Sequence, residues 1–235
     1  MSLDLLRFAT AVFLVSLLGC RSDSYTDKPG LSPLMNAAAH NDLPRIHRLL
    51  AQGADVRERT KQGETALYEA IERKLGADNL PTVDALLKAG ADPNEIEIFG
   101  LHALEVSLSR DYANPDVTLL LLRSGASVPH ECDQQHLLVT AATQESSLEV
   151  MQALIADKAP VNCQDPNGLT ALHWAALNGQ ADRVALLLGS GADSKLRTKA
   201  GLTALDVATT SNPESRVQTE FAKTRELLKS SPTSR

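Results

Sequence analysis

The side chains with the most chemical reach sit close together just past the middle of the chain. His130, Cys132, Asp133 and His136 fall in one short stretch, and Cys163 follows. Thiolates, imidazoles and carboxylates are zinc ligands, but a structural zinc site needs four of them converging tetrahedrally. The same two cysteines suit a disulfide if the compartment is oxidising. Free thiols are the first expectation, ahead of a disulfide and then a metal site. Chemistry elsewhere is sparse. The sequence has no Gly-x-Ser-x-Gly nucleophile turn, no phosphate-cradling glycine loop before Lys-Ser or Lys-Thr, no Cys-x-x-Cys and no His-Glu-x-x-His. It therefore reads as a non-enzyme with no cofactor and no metal.

Composition excludes a further class. The 235 residues carry 29 acidic and 23 basic side chains, for a net charge of −6, and no basic stripe is visible. Nucleic-acid affinity is drawn from clustered Lys and Arg on phosphates and from aromatic stacking platforms. Here only 3% of residues are aromatic, and two of these, Phe8 and Phe13, lie near the start. Nucleic acid is not an expected partner.

The elements that position these residues begin after a leader. Phe8 to Leu18 is an apolar run that follows Arg7 and stops at Gly19-Cys20. Spanning a bilayer takes roughly 20 such residues, so this run matches the core of a secretory signal instead. Leu17-Leu18-Gly19-Cys20 resembles the lipobox of bacterial lipoprotein precursors, with cleavage without lipidation as the alternative. The resemblance implies a signal peptide over 1–19, lipidation of Cys20 and a tether over 20–29. Arg21 after the cysteine points to the outer membrane, facing the periplasm, with membrane contact through the lipid anchor only. Acyl chains hold a protein by about 0.8 kcal/mol per buried methylene.

The remainder, 30–235, is one block repeated six times. A glycine followed four residues later by Leu and seven later by Ala opens at Gly30, Gly63, Gly100, Gly168 and Gly201, with Gln134 for the glycine in the fourth place and Ser107 for the alanine in the third. The steps are 33, 37, 34, 34 and 33 residues. That period predicts stacked units, each too small to bury its own apolar face. In Gly168-Leu-Thr-Ala-Leu-His-Trp-Ala-Ala176 the glycine allows a tight turn and Thr170 caps a short helix. Leu172, Ala175 and Ala176 share one face of that helix. A second helix follows over Asp182 to Leu188, with Val184, Leu187 and Leu188 facing the core. Gly191 ends it left-handed, as Gly53, Gly90 and Gly125 do in their units.

This block resembles the ankyrin repeat. The resemblance rests on Ser32-Pro33-Leu34 with Ala37-Ala38, Thr65-Ala66-Leu67, Thr170-Ala171-Leu172-His173, Thr203-Ala204-Leu205 and the Leu-Leu-x-x-Gly-Ala-Asp closings. It implies an all-α solenoid of about six helix-turn-helix units with finger loops between them. It also makes His173 a structural group that ties neighbouring turns. The fourth unit departs furthest, with Gln134, His136, Lys158 and Pro160 at places usually taken by glycine, threonine, glycine and aspartate. A left-handed Lys158 costs about 1 kcal/mol relative to glycine, so this unit is expected to be the least stable. Fingers about 10 Å apart, the spacing of packed layers, would keep Cys132 from Cys163 unless the loops bend. The last unit, with a late second helix near Ser215 to Lys229, reads as a C-terminal cap.

Ankyrin proteins hold partners on finger tips and the flank of each first helix. Carried over by position, the tips are Lys61, Gln62 and Glu64, then Ile98, Phe99 and Leu101, then Asp133 and Gln135, then Pro166, Asn167 and Leu169, then Lys199 and Leu202. Glu72, Arg73, Arg110, Gln144 and Asn178 are the flank positions. Ile98, Phe99 and Leu101 either form an apolar contact patch or pack against adjacent fingers, while Trp174 is expected to be buried. The resemblance implies a non-catalytic receptor for another protein in the bacterial envelope. It would sequester a basic toxin as an immunity protein or, alternatively, act as a scaffold for a resident periplasmic enzyme.

Overall fold

The computed structural model describes residues 28–72, 78–95, 102–109, 114–132, 137–143, 147–210 and 218–230. The leader, Cys20 and most of the tether lie outside them. Among the described residues there are twelve helices and no strands, arranged as six pairs. The pairs are α1 (Pro33–Ala39) with α2 (Leu43–Ala51), α3 (Ala66–Ile71) with α4 (Leu80–Lys88), and α5 (Ala103–Leu108) with α6 (Pro115–Arg123). They continue as α7 (Leu137–Thr143) with α8 (Leu148–Ala156), α9 (Ala171–Leu177) with α10 (Ala181–Gly189), and α11 (Ala204–Thr210) with α12 (Gln218–Ser230). No described helix is long and apolar enough to cross a membrane.

Each helix starts and stops where local chemistry requires. Ser32, Thr65 and Thr170 adopt extended backbone and accept a hydrogen bond from the amide three residues on. That satisfies one of the donors a helix start leaves free. The second helices end on residues at positive φ: Gly53 at 85°, Gly90 at 98°, Gly125 at 89° and Gly191 at 89°. Lys158 does the same work in the fourth unit at φ 64°. There the Lys158 amide bonds the Ile155 carbonyl and the Ala159 amide reaches back to Leu154, the closure made around Gly191 by Leu188 and Leu187.

Packing is nearest-neighbour. First helices stack on first helices, α1 on α3 and α7 on α9 on α11, and second helices on second helices along the whole row. Alanines at 0% exposure, including Ala37, Ala70, Ala141 and Ala175, let the first helices approach closely. Leu172, Ala175 and Ala176 are buried as the spacing predicts. In α10, Val184 and Leu187 are fully buried, but Leu188 is only partly so, because it sits at the rim of the stripe. The stack is closed by α12, whose Phe221 lies so close to Gly179 that a Cβ there would stand 2.5 Å from the ring. Of the insertions of the second and third units, around 76–79 and 112–115, residues 76–77 and 112–113 lie outside the described residues.

Between pairs the chain folds into fingers with tight turns. In the first, the Gly63 amide bonds the Thr60 carbonyl and the Thr60 amide bonds the Glu64 carbonyl. Asp165, Gly168 and Leu169 repeat the pattern in the fourth finger, as Thr198, Gly201 and Leu202 do in the fifth. Fourth and fifth fingers touch directly: the Lys199 amide bonds the Asn167 carbonyl, and a Cβ on Gly168 would meet the Lys199 nitrogen at 2.8 Å.

Candidate functional site

The finger turns decide which side chains face outward. Thr60 Oγ1 donates to Glu64 at 2.8 Å and accepts the Glu64 amide, which holds Glu64 half-buried and leaves Lys61 and Gln62 exposed at the tip. In the fourth finger Asp165 Oδ1 accepts the amides of Asn167 and Leu169 at 2.8 and 2.9 Å. Pro166 and Asn167 are thereby exposed, and Leu169 is half-buried. Lys199 and Leu202 are exposed on the fifth finger, Leu202 at 36%. Among the flank positions Asn178 is exposed and Glu72 half-buried. Ile98, Phe99, Leu101, Asp133, Gln135, Arg73, Arg110 and Gln144 lie outside the described residues. Trp174 is half-buried rather than buried, because its indole N–H reaches out to Asp165 Oδ2 at 3.3 Å.

His173 is 1% exposed, with Thr170 Oγ1 2.9 Å from one ring nitrogen and the Leu202 carbonyl 3.2 Å from the other. It thus spans from one unit's cap to the next unit's finger. Burial holds its pKa below the ordinary histidine value, and the Leu202 and Leu196 carbonyls and Asp165 offset only part of that. His102 stands at the cap position of α5, where Glu105 accepts its backbone N–H.

The cysteine expectation is corrected. Cys132 and Cys163 are not free thiols: they form a disulfide with Cα atoms 5.3 Å apart. The 10 Å spacing of packed layers does not apply to neighbouring fingers, as the Lys199–Asn167 hydrogen bond between the fourth and fifth also shows. With both sulfurs in one covalent bond, neither is available as a zinc thiolate. No group of three or more metal-ligating side chains converges among the described residues.

One charged group was invisible to pattern reading. Glu69 is 3% exposed on α3, and its carboxylate takes a 3.0 Å ion pair from Lys28, which crosses from the segment before the first unit. Asn36, itself 3% exposed, secures that segment by accepting the Lys28 amide at 2.7 Å and donating to the Leu31 carbonyl at 3.1 Å. Burial pushes the Glu69 carboxyl pKa up, and Lys28 offsets only part of this. Burial also works against the Lys28 charge, yet the Glu69 hydrogen bond with the fields of Glu69, Glu72 and Glu64 leaves its pKa raised. The two partners therefore do not shift in opposite directions as a simple pair would; for the carboxylate, loss of water outweighs the ammonium. The place four residues after each cap holds Asn36, Glu69, Val106, Thr140, Trp174 and Val207. A carboxylate in that row is the signal that could have singled out Glu69.

Comparison with known proteins fits this geometry. The ankyrin-repeat family model matches residues 8–97, 103–198 and 137–223. Inversin from Canis lupus familiaris is 32% identical over 155 residues, covering 65% of this chain and 14% of inversin. The curated relatives are much longer, and the chain spans 14% to 42% of five of them. An ankyrin repeat domain from Acinetobacter baumannii AYE is 28% identical with TM-score 0.66, covering 83% of this chain and 95% of that one. A chain from the complex of a predatory endopeptidase of Bdellovibrio bacteriovorus with an immunity protein is 26% identical with TM-score 0.63, covering 85% and 98%. Repeat register, paired helices, finger turns and these matches agree, and the chain belongs to the ankyrin repeat family.

Proposed function

We propose that this protein is a non-catalytic receptor held in the bacterial envelope by a lipid on Cys20, where it sequesters another protein in the manner of an immunity protein. Ankyrin repeats are a protein-binding fold, and a preformed finger row loses little conformational entropy on docking. The observation that carries the reading is the row itself. Lys61, Gln62, Pro166, Asn167 and Lys199 stand exposed on turns pinned from below by their own hydrogen bonds. Two further facts support it. The Cys132–Cys163 disulfide suits an oxidising compartment outside the cytosol. The likeness to a chain from a peptidase–immunity protein complex supports a partner of the toxic-enzyme kind. The net charge of −6 favours a basic one.

The test is genetic and chemical. Deleting the gene should leave cells sensitive to a secreted protein of their own kind, and the intact gene should restore resistance. The Cys20→Ala form should lose both labelling by a radioactive fatty acid and membrane association. Deletion mutants that stay resistant while losing a resident periplasmic enzyme would favour the scaffold role instead.

A further inference from the structure

A ladder of hydrogen bonds joins the base of each finger to the next, and one rung is of a different kind. After three of the left-handed helix ends, Gly53, Gly90 and Lys158, the residue four further on reaches to the helix end of the following unit. Arg57 Nε donates to the Gly90 carbonyl at 3.0 Å. Asn94 donates to the Gly125 carbonyl at 2.9 Å and accepts the Ser127 amide at 2.7 Å. Asn162 does the same with the Gly191 carbonyl at 3.2 Å and the Asp193 amide at 2.8 Å. Four residues after Gly125 the chain has Pro129, whose ring offers no donor. This third finger is the one that Cys132 bonds to Cys163 of the fourth. The covalent rung stands where the hydrogen-bonded rung cannot form.

Its two sulfurs are unequally placed. Cys132 is exposed, whereas Cys163 is 4% exposed, in a cleft lined by Glu131 and by the apolar side chains of Pro129, Leu137, Leu138, Val139, Ala159 and Pro160. We infer that Cys132 is a thiol–disulfide exchange site for a dithiol, and that exchange there loosens α7, whose Leu137, Leu138 and Val139 line the same cleft as Cys163. In the first step the thiolate of the dithiol attacks Cys132 Sγ and forms a mixed disulfide. The Cys132–Cys163 bond breaks, and the Cys163 sulfur leaves with the electron pair and takes a proton from water. The second thiolate then attacks the sulfur of its own molecule in the mixed disulfide. This closes the dithiol's own disulfide and releases Cys132, which is protonated in turn. Two electrons pass from the dithiol to the protein. Cys163 is left as a neutral thiol in apolar surroundings, where it is inert. With the bond gone, Cys132 and Cys163 are no longer held together, and the cleft that Cys163 shares with Leu137, Leu138 and Val139 loosens.

Two readouts on the full chain test this. Brief exposure to glutathione, which has one thiol and stops at the mixed disulfide, followed by acid quenching and peptide mapping, should place the adduct on Cys132 at least ten-fold over Cys163. Amide exchange of residues 137–143 should speed up ten-fold or more on full reduction, while residues 33–51 are unchanged. The Cys132→Ser single variant, which keeps Cys163 in its cleft, should show the faster exchange without reductant and no response to it. Adducts shared between the sulfurs, or exchange over 137–143 unmoved by reduction, would overturn the assignment. Neither result depends on the identity of the partner, so a failure here is separable from a failure of the receptor reading.

Discussion

His173 shows how far one residue couples neighbouring units. Its two nitrogens face Thr170 and the Leu202 carbonyl inside the stack, so burial favours the neutral ring. The sign of the consequence follows. With the folded pKa below the ordinary 6.5, acidification through that value protonates the unfolded chain first and stability falls. The midpoint of urea unfolding is therefore expected to drop between pH about 7.5 and about 6. His173→Gln, weaker at the upper pH, should lose less across the interval. An equal loss in both proteins would assign the effect elsewhere. Glu69 acts in the opposite sense, because its raised pKa makes the folded state bind protons in the window above the ordinary 4.5. Glu69 is present in both proteins, so its titration cancels in the comparison. Thr170 was legible because Thr65 and Thr203 hold the same place in their blocks, and His173 because it stands at the histidine position of the ankyrin repeat. Glu69 was not, since its burial depends on Lys28, 41 residues away in a segment outside the repeat.

At the scale of elements the fourth unit is the informative one. The helix pairs were legible from the 33-to-37-residue steps and from the glycines that end second helices. Lys158 was legible as a misfit, and it does take the left-handed conformation at φ 64°. Lys158→Gly relieves the Cβ crowding there. It is expected to raise unfolding stability by about 1 kcal/mol, read as a higher urea midpoint with unchanged slope. No gain would mean that the closure around Ile155 and Leu154 already tolerates lysine. The disulfide was not legible, for a definite reason: the spacing of packed layers was applied to neighbouring fingers, which approach to bonding distance. Pro129 was the missed hint, because a chain that drops one hydrogen-bonded rung needs another tie at that junction.

The molecule as a whole is a row of units in which each touches mainly its neighbours. Stability is shared along the row, and the proposed receptor reading places recognition on the fingers. The fold class was legible because six copies in register repeat the same local choices of cap, apolar stripe and helix stop. The identity of the partner was not, because the proposed binding positions are ones the repeat leaves unconstrained: Gln62 and Asn167 are exposed and hold up no part of the core. The central claim is that another protein docks on this finger row and not on the opposite, second-helix face. A photoactivatable amino acid placed singly at Gln62, at Asn167 and at the exposed Gln152 of α8 tests it in cells that make the protein. Irradiation should yield the same discrete heavier species from the two finger positions and none from Gln152. Adducts from Gln152 with none from either finger would contradict the account.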